Sequence, residues 1–116
     1  MIECIRGEDL WHTYMYSMNG APLVFAKWRK QGDTAEAHNE MYQHSKSALL
    51  ESRRLLNEEV MKDMAQAGCK YLVVTDLDSN VDATRLKYWK FMGFKVTGQA
   101  HGHTFAVMEI TCQQSQ

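Results

Sequence analysis

The chain has 116 residues, 45% of them hydrophobic, and its 13 basic and 14 acidic side chains leave a formal net charge of −1. That is enough for one domain around a single core and too apolar for a disordered segment. The near-neutral balance excludes a dedicated nucleic-acid binder, which carries a basic excess or stripe, and no apolar run approaches the roughly 20 residues that cross a bilayer.

The opening MIECIRGEDLW carries charge where a secretory signal needs its apolar centre, which points to a cytoplasmic protein. Asn19-Gly20 then separates the apolar runs 13-TYMYSM-18 and 22-PLVFAKWR-29, a strong hairpin signal. Gly32-Asp33 marks a second turn. Residues 34–43, TAEAHNEMYQ, alternate weakly and are low in β-branched residues, and they read either as a strand or as irregular chain. From 45 to 67 the spacing is helical, with Leu49, Leu56, Val60 and Met64 near one face, Ser45 or Ser47 as cap and Gly68 as stop. The run 70-KYLVVT-75 is continuously apolar and β-branched, as expected of a central strand. A second helix over 80–92, capped by Ser79 or Asp82, ends at Gly93; strands 94–99 and 104–111 follow, joined by the turn 100-AHGH-103. The order is β-β-(β)-α-β-α-β-β, an α/β (α+β) domain over 1–112 with a mixed sheet, an N-terminal β-hairpin and a frayed tail over 113–116.

The segment 70-KYLVVTDLDSNVDATRLKYWKFMGFKVTG-98, preceded by 45-SKSALLESRRLLNEEVMKDMAQAGCKYLVV-74, resembles the second half of the GCN5-related N-acetyltransferase fold. The likeness runs from 20 to 111 in order and length and is similar to small acetyltransferase-like proteins encoded by phages. It implies acetyl-CoA as cofactor and acetyl transfer to a protein or a small amine. The resemblance assigns the pantetheine to backbone groups of Leu72, Val73, Val74 and Thr75, and the diphosphate to the loop His44, Ser45, Lys46 and Ser47. It also assigns Asn80 to the cofactor site and Tyr88 to the role of acid for the departing thiolate. Two departures stand out. The diphosphate loop, within 40-EMYQHSKSALL-50, contains no glycine, so the chain cannot wrap as tightly around an anion. Counting back from Gly93, the family's tyrosine position holds Trp89, and Tyr88 stands about 100° away on the helix. Asn80 likewise lies two residues early, with Asp82 in its place.

Plainer readings stand beside these. Tyr88, Trp89, Phe91 and Phe94 suit core packing. His38 with Glu36 or Glu40 suits either a general base opposite the thioester or a solvated strand face. Lys27, Trp28, Arg29 and Lys30 can hold an anion or a partner, or simply end a hairpin. His101 and His103 make two ligands with no third, so a tight turn is expected and no metal. Cys4, Cys69 and Cys112 are odd in number and lack CxxC spacing, which argues for reduced thiols in a cytosol; Cys69 before the central strand is expected to be buried and inert. The alternative to an enzyme is a catalytically inactive acetyltransferase-like scaffold. It would expose Trp11, Tyr14, Tyr16 and Trp28 to form a homodimer or grip another protein, a host protein in the host cytoplasm if phage-encoded.

Overall fold

The computed structural model describes residues 1–76, 83–100 and 103–110. Seven strands form one sheet in the order β1-β2-β3-β4-β5-β7-β6. They are β1 (Ile2–Glu8), β2 (His12–Met18), β3 (Ala21–Gln31), β4 (Thr34–Met41), β5 (Tyr71–Asp76), β6 (Lys95–Ala100) and β7 (His103–Glu109). Helical chain covers Lys46–Leu55 (α1), a π-helical turn Leu56–Val60, Met61–Gln66 (α2) and Ala83–Met92 (α3).

The β2–β3 turn holds Asn19 and Gly20 at φ of 55° and 80°, the left-handed pair that a two-residue hairpin demands. Residues 34–41 are a strand: β4 pairs antiparallel with β3 from Gln31↔Thr34 to Val24↔Met41 and parallel with β5. Its low β-propensity is overridden because it lies between two partners. The N-terminus holds a strand that the sequence concealed. β1 pairs with β2 along its whole length, but as an edge strand it buries little and so shows no alternation.

The long helix starts one residue after its cap, Ser45, whose Oγ accepts from the Ala48 amide at 3.1 Å. Its buried positions run Ala48, Ser52, Leu55, then Val60, Met61 and Met64. The step from 55 to 60 is one residue longer than an α-helix allows, and the π turn supplies that residue. An unbroken α-helix would turn Glu59 to the core. Instead Glu59 meets Arg6 of β1 at 3.3 Å, and Asp63 meets the same guanidinium at 2.8 Å. Leu49 and Leu56 are only partly buried.

Side chains directly opposed across strands share a face, so the register separates two faces of the sheet. One contains Tyr14, Tyr16, Val24, Trp28, Ala35, Leu72, Val74 and Ala106, all buried. Leu55, Val60 and Met64 of the long helix and Trp89 and Met92 of α3 cover it. The other face contains Met15, Phe25, Lys27, Glu36, His38, Val73, Thr75, Phe105 and Val107, and none of these is buried. The expected apolar surface of Trp11, Tyr14, Tyr16 and Trp28 is therefore corrected. Tyr14, Tyr16 and Trp28 are core residues at 3%, 1% and 1% exposure, because their strand positions face the helices; Trp11 alone lies outside. Among the described residues no helix is long and apolar enough to cross a membrane.

Candidate active site

The parallel ladder between β4 and β5 is short. It runs from Thr34↔Tyr71 to Ala37↔Val74 and stops, although β4 continues to Met41 and β5 to Asp76. Past that point each strand follows its outer neighbour: β4 stays with β3 to Val24↔Met41, and β5 stays with β7 to Asp76↔Thr104. The two strands part at His38 and Thr75. Leu72, Val73 and Val74 are flanked on both sides by paired strands, so Thr75 is the first β5 residue whose backbone edge faces the gap.

Beside this gap lies a cleft of about 570 Å³. Asn39, Glu40 and Met41 of β4 form one wall, Thr84, Arg85, Lys87, Tyr88 and Phe91 of α3 the other, and His44 and Leu49 close the end near α1. The size falls within the ~300–1,000 Å³ range of small-molecule sites. Its charged side chains are Arg85, Lys87 and Glu40, with His44 beside them, so cations predominate.

Tyr88 and Trp89 divide the work of α3. Trp89, 3% exposed, packs into the core with Met92 and only borders the cleft, whereas Tyr88, one step round the helix, is partly exposed and brings its hydroxyl to Asn39 in it. The Tyr88 hydroxyl accepts a hydrogen bond of 2.8 Å from the Asn39 side-chain amide. Burial pushes the phenol above its ordinary value, with Asn39 and Arg85 pulling the other way. α3 ends at Gly93, where φ of 102° lets the Phe94 amide reach Trp89 O at 2.9 Å.

Of the diphosphate loop, His44 lines the cleft. Ser45, Lys46 and Ser47 are exposed around the α1 start, and Ser45 Oγ lies 3.2 Å from Ser47 Oγ. Glu36 and His38 sit on the opposite, uncovered sheet face, 3.6 Å apart, with Glu36 also accepting from Arg29 Nε at 2.9 Å. The structure thus brings Tyr88 and His44 to one side of the gap, and Glu36 and His38 to the other. Lys30 does not join Lys27 and Arg29; alternation sends it to the opposite face, beside Gly68. Cys69 is buried, which raises its thiol pKa, and Cys4 is exposed. Asn80, Ser79, Asp82, His101, Cys112, the tail 113–116 and the side chain of His103 lie outside the described residues.

Sequence reasoning missed Asn39, Arg85 and Lys87. Asn39 had a readable signal: once 34–41 is a strand, Ala35, Ala37, Asn39 and Met41 share the core face, and Asn39 is its only polar member. Arg85 and Lys87 had none, since exposed cations on a helix are ordinary.

A seven-stranded mixed sheet whose parallel middle strands part beside a helix start, with a tyrosine of the next helix at the opening, defines the GCN5-related N-acetyltransferase fold. Solved structures of acetyltransferases share it. Aminoglycoside 6'-acetyltransferase type Ii superposes with a TM-score of 0.68 at 15% identity, over 92% of this chain and 74% of that one. The N-acetyltransferase PseH of Campylobacter jejuni, in complex with acetyl coenzyme A, gives 0.64 at 10%, over 90% and 71%. The ribosomal-protein-S18-alanine N-acetyltransferase of Escherichia coli gives 0.61 at 16%, over 93% and 74%. No family model and no curated protein matches the sequence, so the likeness is one of fold.

Proposed function

We propose that the protein is an acetyl-CoA-dependent N-acyltransferase with Tyr88 as its acid. The observation that carries this reading is the Tyr88 hydroxyl, held by Asn39 in the cleft where β4 and β5 part. Because Asn39 donates to the phenolic oxygen, the phenol keeps its own proton to give away. Its raised pKa keeps it protonated at neutral pH.

The cofactor's chemistry fits the residues present. A dinucleotide-like anion suits a cleft lined by Arg85, Lys87 and His44 near the start of α1, where the helix dipole adds positive potential. The glycine-free loop then contributes less than the α3 cations do. The extended backbone of Thr75 and Asp76 offers groups for an amide-bearing chain. When bound, acetyl-CoA supplies an acetyl group activated as a thioester. The chain's own residues orient it in the gap, Tyr88 protonates the departing thiolate, and Glu36 with His38 accepts the proton from the amine on the other face.

Two measurements test the reading. Acetyl-CoA at a hundred times its Kd is expected to stabilise the protein by about 2.7 kcal/mol; no thermal shift at millimolar ligand refutes the cofactor assignment. Tyr88→Phe is expected to lower kcat for thiol release to a primary amine by about 10²–10⁴-fold with unchanged acetyl-CoA affinity. Equal kcat in the variant refutes the acid.

A second reading has one observation in its favour. The sheet face that no described helix covers carries half-buried Phe25, Phe105, Val107 and Met15, which suits a scaffold that docks another protein.

A further inference from the structure

The sheet face that no described helix covers carries a charged cluster at the mouth of the gap. Lys27 and Arg29 stand two residues apart on β3 and project from the same face about 7 Å apart. Both lean on one indole: Lys27 Nζ lies 4.8 Å and Arg29 Cζ 4.7 Å from the Trp11 ring centroid. The His38 ring meets the same indole edge-on at 5.5 Å. Across the strands Lys27 opposes His38, and Arg29 opposes Glu36. Arg29 spends only its Nε on Glu36, at 2.9 Å, and Glu36 is shared further with Gln31 at 3.0 Å and His38 at 3.6 Å. Among the described residues Lys27 forms no ion pair, and the terminal nitrogens of Arg29 form none either. Two cations are therefore held against one aromatic ring with a single, already shared carboxylate. Their place in the fold is specific: His38 is the first β4 residue beyond the last pair with β5, so the cluster borders the gap opposite Tyr88.

We infer that this cluster binds the acceptor, and that the acceptor is a small primary amine carrying a carboxylate. The inference rests on the transferase reading. The outer edge of Arg29 matches a carboxylate in a two-pronged fashion, Lys27 adds a point charge, and Trp11 forms the floor beneath both. With its carboxylate so anchored, the amine reaches His38 at the gap. Its nitrogen lone pair attacks the acetyl carbonyl carbon, the C–N bond forms and the C–S bond breaks. The thiolate takes the Tyr88 proton, the surplus proton on nitrogen passes to the His38 imidazole and on to solvent, and solvent returns a proton to the Tyr88 phenolate. A neutral amine leaves both cations without a counter-charge. A polyamine is repelled by them.

The test compares 4-aminobutanoate with its neutral amide, 4-aminobutanamide, by Trp fluorescence titration without acetyl-CoA. Trp28 and Trp89 are buried, and Trp11→Phe identifies the signal of the partly exposed Trp11 ring. The acid is expected to bind about tenfold more tightly than the amide, the effect of two half-exposed charge pairs. Lys27→Met removes one of the two pairs and is expected to lower that preference to about threefold while the acetyl-CoA thermal shift stays as in the parent. Equal affinity for acid and amide overturns the inference, and so does a preference that stays at its parent value in Lys27→Met. If acetyl-CoA gives its shift and the acid has no advantage, only the acceptor assignment falls. If acetyl-CoA gives no shift, the transferase reading falls and the acceptor assignment with it.

Discussion

Two neighbouring tyrosines make opposite predictions from the same atomic change. Tyr14 and Tyr16 stack at 6.0 Å between centroids on the core face of β2, and both are almost fully buried. The Tyr14 hydroxyl accepts from Trp28 Nε1 at 3.0 Å and donates to Asp63 Oδ2 at 2.8 Å. Tyr16 Oη has no hydrogen-bond partner among the described residues. Tyr14→Phe strands the indole N–H of Trp28, which is 1% exposed. Leaving such a donor unsatisfied costs about 1–3 kcal/mol. Asp63 loses one donor as well, but it is partly exposed and keeps Arg6, so it adds little. For 116 residues the unfolding entropy is roughly 0.24 kcal/mol/K, so each kcal/mol moves Tm by about 4 °C. Tyr14→Phe should therefore lower Tm by about 4–12 °C. Tyr16→Phe removes a polar atom that gains nothing from burial, and its Tm should stay level or rise. Urea unfolding checks both, with unchanged m-values showing that the shift is one of stability. Equal losses in the two variants would refute the argument, because burial and ring size would then decide and hydrogen bonding would not.

The same hydroxyls set an alkaline limit. Burial, first among the causes, raises the pKa of both Tyr14 and Tyr16 above 10, whereas in the unfolded chain they ionise near 10. A group whose folded pKa is raised contributes stability that is complete below the unfolded pKa and lost as pH climbs towards the folded one. The urea midpoint should accordingly fall as pH rises above 10, less steeply in Tyr16→Phe than in the parent, and parallel slopes would contradict the assignment. At the cleft, Lys87→Glu reverses one charge beside Arg85 and His44. Acetyl-CoA affinity should drop about tenfold at low salt, with a smaller gap at about 1 M, where the screening length falls to about 3 Å. A salt-independent loss would mean that Lys87 acts through shape.

Much of the fold was legible because local signals and tertiary structure agree. The Asn19-Gly20 turn, the apolar run ending at Thr75 and the Gly93 stop each state their conformation without help from distant residues. β1 was not legible, since an edge strand with both faces largely wet has no period to read. The π turn was hidden for a related reason. A spacing of five between Leu55 and Val60 looks like noise until Glu59 is seen to need Arg6.

The candidate site was only half legible, and the cause is geometric. Counting residues back from Gly93 fixes a place on a helix but not the direction in which the helix faces its sheet. Here α3 is turned so that the indole of Trp89 fills the core and the phenol of Tyr88 reaches Asn39. Asn39 in turn matters only because β4 leaves β5 after Ala37, and no residue type marks the point where a parallel ladder ends. The parting is set by the outer strands, through Val24↔Met41 on one side and Asp76↔Thr104 on the other. The acid and the base of the proposed reaction thus come from opposite faces of one sheet. They meet only because its two middle strands part after Ala37 and Val74 and each stays with its outer neighbour.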